Sequence, residues 1–156
     1  MVVGIVHAGL APVIEVGGVH PNLVLVAVVL ITSVLGFGPG IAWAFVAGLV
    51  ANLLVQEPLG SLPLSMLLVA AMVAGGGRLL GRLVWVYPVL AALAGSVLAD
   101  AVTLSVYRLV GDPLDLGVPS ELILPAAVLN AAIVGILLYP MRVLSGRLAP
   151  EEQAAW

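Results

Sequence analysis

Few side chains in this sequence could do chemistry, and the first to weigh is Asp100. No charged residue stands between Arg82 and Asp100, and none follows it before Arg108. A helix over residues 84–108 would carry that carboxylate into a membrane, where ionisable groups are costly, face a bundle interior and mark a functional site by default. Helical spacing sets Ala92, Ser96, Asp100 and Thr103 along one stripe. Asn52 and Asn130, in two other apolar runs, are the natural partners, because an amide donates to a carboxylate and shares hydrogen bonds with its neutral form. Two readings stand for Asn52, Ser96, Asp100, Thr103 and Asn130: polar glue between helices, or the lining of a ligand or partner site. A proton relay would need a second titratable group at depth, and none is evident.

The other candidates carry less. His7 and His20, with Glu15 between them, are too dispersed for a compact metal ligand set. Gly36-Phe37-Gly38 and Gly75-Gly76-Gly77 follow no strand and precede no Gly-Lys-Ser/Thr, so neither is a phosphate loop. The absence of cysteine excludes disulfides, thiolate metal sites and cysteine catalysis. No serine, histidine and acid show a local signature of a catalytic trio. The expectation is a non-enzyme with no catalytic residue, cofactor, metal or nucleic-acid partner.

The elements that must hold these residues follow from composition. The 156 residues are 63% hydrophobic and 8% charged, with a mean hydropathy of +1.28, whereas a soluble domain carries about 25% charged residues. From Val16 to Gln56, and again from Pro58 to Gly77, there is no Asp, Glu, Lys or Arg. Runs of that kind match helices spanning a hydrocarbon core about 30 Å thick. A β-barrel would show alternating polarity, but Val24 to Ile31 and Leu67 to Val73 are apolar on every face. Helices are then the remaining way to satisfy the backbone in lipid.

Glycine and proline clusters divide the chain into helices at about 2–16, 22–36, 40–56, 62–80, 84–108 and 121–145. The sequence thus predicts an all-α integral membrane protein, a single domain over 1–148 with a short cytoplasmic tail at 149–156. The hairpin Gly36, Gly38, Pro39 and Gly40 separates the second helix from the third. The first helix contains Pro12 and lacks the basic start of a secretory signal, so it reads as retained. It is also short, and a five-span version stays open. With six spans, Arg78, Arg82, Arg142 and Arg147 share one side against Arg108 on the other, which puts both termini in the cytoplasm. Trp85 and Tyr87 near one end of the fifth helix, and Tyr107 near the other, fit aromatic belts. Small residues recur four apart, including Gly48, Ala91, Gly95, Ala99, Ala127, Ala131 and Gly135. Such ridges let helices approach closely, either one another or a partner.

The stretch His20-Pro21-Asn22-Leu23-Val24, the run from Gly36-Phe37-Gly38-Pro39-Gly40 through Trp43 to Gly48-Leu49, and the turn Pro58-Leu59-Gly60 together resemble MreD, the rod shape-determining membrane protein family of bacteria. The likeness is to a Pro-Asp/Asn entry into one helix, a Gly-Phe/Ile-x-x-Gly-Leu run in the next and a Pro-x-Gly turn after it. It covers mainly residues 20–82, with weaker support from Pro125 and Asn130. Family members often carry an acidic residue a few positions after the Gly-Leu, where this chain has Asn52.

What the resemblance implies is a scaffold of the cell-elongation machinery in the bacterial plasma membrane, binding MreC through its transmembrane helix. Indirect partners would be the actin-like MreB, the glycosyltransferase RodA and a class B penicillin-binding transpeptidase. That bundle is similar to the six-helix substrate-binding subunits of energy-coupling-factor vitamin transporters, which supply the alternative. Asn52, Asp100 and Asn130 would then be the polar contacts of an otherwise apolar pocket. A channel or proton-coupled carrier is disfavoured by the single buried acid and the lack of an internal repeat.

Overall fold

The computed structural model of the chain describes residues 20–55, 58–80, 85–110 and 120–148. They form five helices: α1 (Leu23–Leu35), α2 (Phe37–Leu54), α3 (Ser61–Leu79), α4 (Tyr87–Val110) and α5 (Ser120–Leu148). No strand occurs among the described residues. The predicted first helix at 2–16, Glu57, Arg82, the loop at 111–119 and the tail at 149–156 lie outside them. Where the sequence predicts six spans, the described residues hold four helices long and apolar enough to cross a membrane, together with the shorter α1.

α1 explains the arrangement. Its 13 residues rise about 20 Å, too little for a hydrocarbon core of about 30 Å. Eight of them are buried, and Leu25, Val28 and Val29 are fully so. A helix apolar on all sides is either a membrane span or a core helix, and α1, too short to span, touches every other helix. Around it α2, α3, α4 and α5 pack in chain order, each against the next, while α2 touches neither α4 nor α5. The core joins Val24, Leu25 and Val28 of α1 to Met66 and Val69 of α3, Ala92 of α4 and Val134 of α5.

Large apolar side chains also cover the outward surface. Leu53, Leu124 and Ile136 are 67%, 67% and 73% exposed, and at most 39% of any spanning window is buried. Apolar patches on soluble monomers rarely exceed a few hundred Å². Lipid, not water, suits helices that are apolar both inside and out.

The α1–α2 turn is narrower than the sequence predicts. Gly36 alone leaves the helical conformation, at φ +92°, where a side chain would be strained. Gly38, Pro39 and Gly40 already belong to α2. Proline is tolerated there because the first-turn N–H groups have no helical acceptor to lose. Gly40 lies so close to Thr32 that a Cβ would collide with the Thr32 side chain, which draws the two helices together at the turn.

Candidate functional site

The buried amide side chains inside the bundle anchor two separate clasps. In the first, the Asn22 side chain caps α1 by accepting the Leu25 N–H at 3.0 Å. The Asn22 backbone N–H donates to Asn130 Oδ1 at 2.8 Å, and Asn130 Nδ2 donates to Ser96 Oγ at 3.0 Å. Ser96 Oγ passes its own hydrogen to the Ala92 carbonyl at 2.9 Å. Asn130 and Ser96 are 2% and 3% exposed, so the bond between them is made where water cannot substitute. The first turn of α1 is thereby tied to α5 and α4 at about the middle of those helices.

Asn52 belongs to the second clasp. Its Oδ1 accepts the Gly60 N–H, and its Nδ2 donates to the Pro58 carbonyl at 3.3 Å. Gly60, at φ +94°, is the N-cap residue of α3 and offers no side chain for that role. An amide is suited to the position because it donates and accepts at once. This clasp closes the α2–α3 hairpin with Gly48, which is pressed against Pro63.

Of the five polar residues singled out from the sequence, the structure therefore brings Ser96 and Asn130 together and sets Asn52 apart, on a helix that touches neither α4 nor α5. Thr103 is half-buried and Asp100 is exposed on α4. Each four-residue step along a helix turns about 40° past a full circle. The buried side of α4 accordingly runs through Ala91, Ala92, Gly95, Ser96 and Ala99, leaving Asp100 to one side. Gly48, Ala91, Gly95, Ala99, Ala127 and Ala131 are buried, while Gly135 is exposed.

Two features were not anticipated by the sequence reading. Tyr87 points inward, its hydroxyl donating to the Val73 carbonyl at 2.6 Å and lying against Gly76, so it fastens α4 to the end of α3. Trp85 stacks on Tyr139 with ring centres 6.4 Å apart, and Arg142 Cζ lies 4.6 Å from the centre of the Trp85 ring. The signal for Asn22 was present, since Pro-Asn before an apolar run is a helix start. No local signal pairs Tyr87 with the carbonyl of Val73. No group of three or more His, Cys, Asp or Glu that could hold a metal occurs among the described residues.

Together these features define a multi-pass helical membrane protein whose interior amides are spent on backbone groups and on Ser96. No protein-family model, curated protein or solved structure matches the chain.

Proposed function

We propose that the chain is a membrane scaffold of the bacterial cell-elongation machinery, a partner of MreC in the plasma membrane with both termini cytoplasmic. The observation that carries this reading is how the buried amides are used. Asn52 holds a turn and Asn130 holds a helix start and Ser96. A small-molecule site needs a few polar groups converging on an open space. Here the amides that would supply them are occupied by backbone and serine. Apart from a half-open cavity at the end of the bundle where α1 turns into α2, what remains to offer a partner is helix surface, apolar and exposed along α2, α4 and α5. A transmembrane helix is the kind of ligand that such a surface accepts, through close packing rather than hydrophobic driving force.

The residues that resemble the MreD pattern fit this use. Gly36, Gly40, Gly48 and Gly60 all shape the two hairpins at either end of α2, and Asn52, where the family often carries an acidic residue, closes the second of them. They set how helices are presented and leave no chemistry to perform.

The test is co-purification from detergent of the full chain with full-length MreC, with an unrelated single-span protein as control. Retention of MreC and loss of the control is expected. A clean monomer under conditions that preserve other elongation complexes would count against the scaffold. A thermal shift on adding a single vitamin would favour the transporter-subunit alternative.

A further inference from the structure

At the end of the bundle where α1 turns into α2, a half-open cavity of about 390 Å³ lies between that turn, the end of α3, the start of α4 and the last turns of α5. The size is within the range of small-molecule sites, about 300–1,000 Å³. Among the described residues that line it, the charged ones are Arg78 from α3 and Arg142 from α5, and none is acidic. Helices far apart in sequence thus bring two guanidinium groups to one concave wall. A concave, low-dielectric wall concentrates the positive potential of such groups. Arg142 is also held in place, because its guanidinium lies over Trp85 and Trp85 stacks on Tyr139.

We propose that this cavity holds the phosphate group of an anionic phospholipid from the surrounding leaflet. Guanidinium donors form a planar fork that matches phosphate oxygens, and basic pockets between transmembrane helices bind anionic head groups. The rim favours a lipid over a free anion. Phe37 on the wall is 44% exposed, and the adjoining Leu80 and Val86 are 46% and 51% exposed, giving acyl chains an apolar surface to follow outward. Trp85 and Tyr139, 54% and 65% exposed at the same end, are the residue types that sit at head-group level.

The test uses the full chain in a neutral detergent, titrated with phosphatidylglycerol or phosphatidylcholine and read by native mass spectrometry. Both lipids carry a phosphodiester and only the first a net negative charge. Tighter retention of phosphatidylglycerol is expected, and Arg78→Gln is expected to weaken it about tenfold, the scale of one charge-assisted hydrogen bond. Arg78 is exposed and outside the core, so its loss leaves the bundle folded. Arg108→Gln, at the far end of α4, is expected to change nothing. Equal retention of the two lipids, or unchanged binding by Arg78→Gln, would overturn the proposal. Displacement of the lipid by inorganic phosphate at equal concentration would assign the cavity to a free anion and overturn the lipid as its occupant.

Discussion

Gly48 of α2 lies against the backbone of Pro63 in α3, so that a Cβ on the glycine would come 2.9 Å from Pro63 Cα and 3.1 Å from its nitrogen. Side-chain rotation can relieve neither contact. Gly48→Ala is therefore expected to push the hairpin apart and to cost about 1–3 kcal/mol, the range of overpacking in a tight core. The control is Gly75→Ala in α3, where an added Cβ meets nothing within 4 Å. Alanine there is expected to be neutral or mildly stabilising, since glycine in a helix interior costs about 1 kcal/mol relative to alanine. Thermal unfolding of both variants in one detergent measures the difference. Equal Tm values would show that α2 and α3 are less closely packed than this.

Asn130 carries the next expectation. Asn130→Leu removes the acceptor of the Asn22 N–H and the donor to Ser96 together. Side-chain hydrogen bonds between membrane helices average about 0.6 kcal/mol and reach about 1.7 kcal/mol. A loss toward the upper figure is expected, because the Asn22 N–H loses its acceptor at the start of a buried helix. Ser96→Ala is expected to cost less, since it deprives Asn130 of one bond only. A double-mutant cycle between the two positions should give a clear coupling energy. Strict additivity would mean that Asn130 and Ser96 do not act as one unit.

How far the sequence revealed this arrangement can be judged at particular residues. The apolar runs and their breakers located α1 to α5 to within three residues at each end, because composition alone decides where lipid-solvated helix is possible. The α1–α2 turn was harder, since three glycines and a proline read as a loop when only Gly36 breaks the helix. Asn52 and Asn130 look equivalent in sequence, each an amide in an apolar run. Which helices touch is a non-local property, and α2 never meets α5. Asp100 stood out because charge is rare in such a helix, yet rarity does not say which side of the helix it occupies.

Tyr87 offers a test of the α3–α4 junction. Its hydroxyl donates to the Val73 carbonyl and its ring lies beside Gly76. Tyr87→Phe keeps the ring and removes the bond, with an expected loss of about 1 kcal/mol. Gly76→Ala should cost more, because a Cβ there collides with the ring and hydroxyl. Hydrogen exchange at the end of α3 would report both changes locally. Unchanged protection in the two variants would leave Tyr87 as a belt residue at the membrane surface instead of a fastener.

The small-residue ridges of α4 and α5 can be sorted into packing and docking by one pair of substitutions. Gly95 is buried, and a Cβ there would come 3.1 Å from Val69 Cγ1 and 3.5 Å from Met72 Cε, so its neighbour is α3 of the same chain. Gly135 is exposed, and a Cβ there would meet only Val89 Cγ2 at an ordinary 3.6 Å. Gly95→Leu adds three more carbons beyond that Cβ to a space already filled, and is expected to lose the monodisperse bundle in size-exclusion chromatography. Gly135→Leu adds the same volume on the outside and is expected to leave the bundle intact. If the outer face of α5 receives the helix of MreC, Gly135→Leu should lose MreC in co-purification while keeping its own Tm. Retention of MreC by that variant would move the docking surface to α2 or the outer side of α4. A folded Gly95→Leu protein that has lost MreC would reverse the assignment, making the Gly95 ridge the docking face.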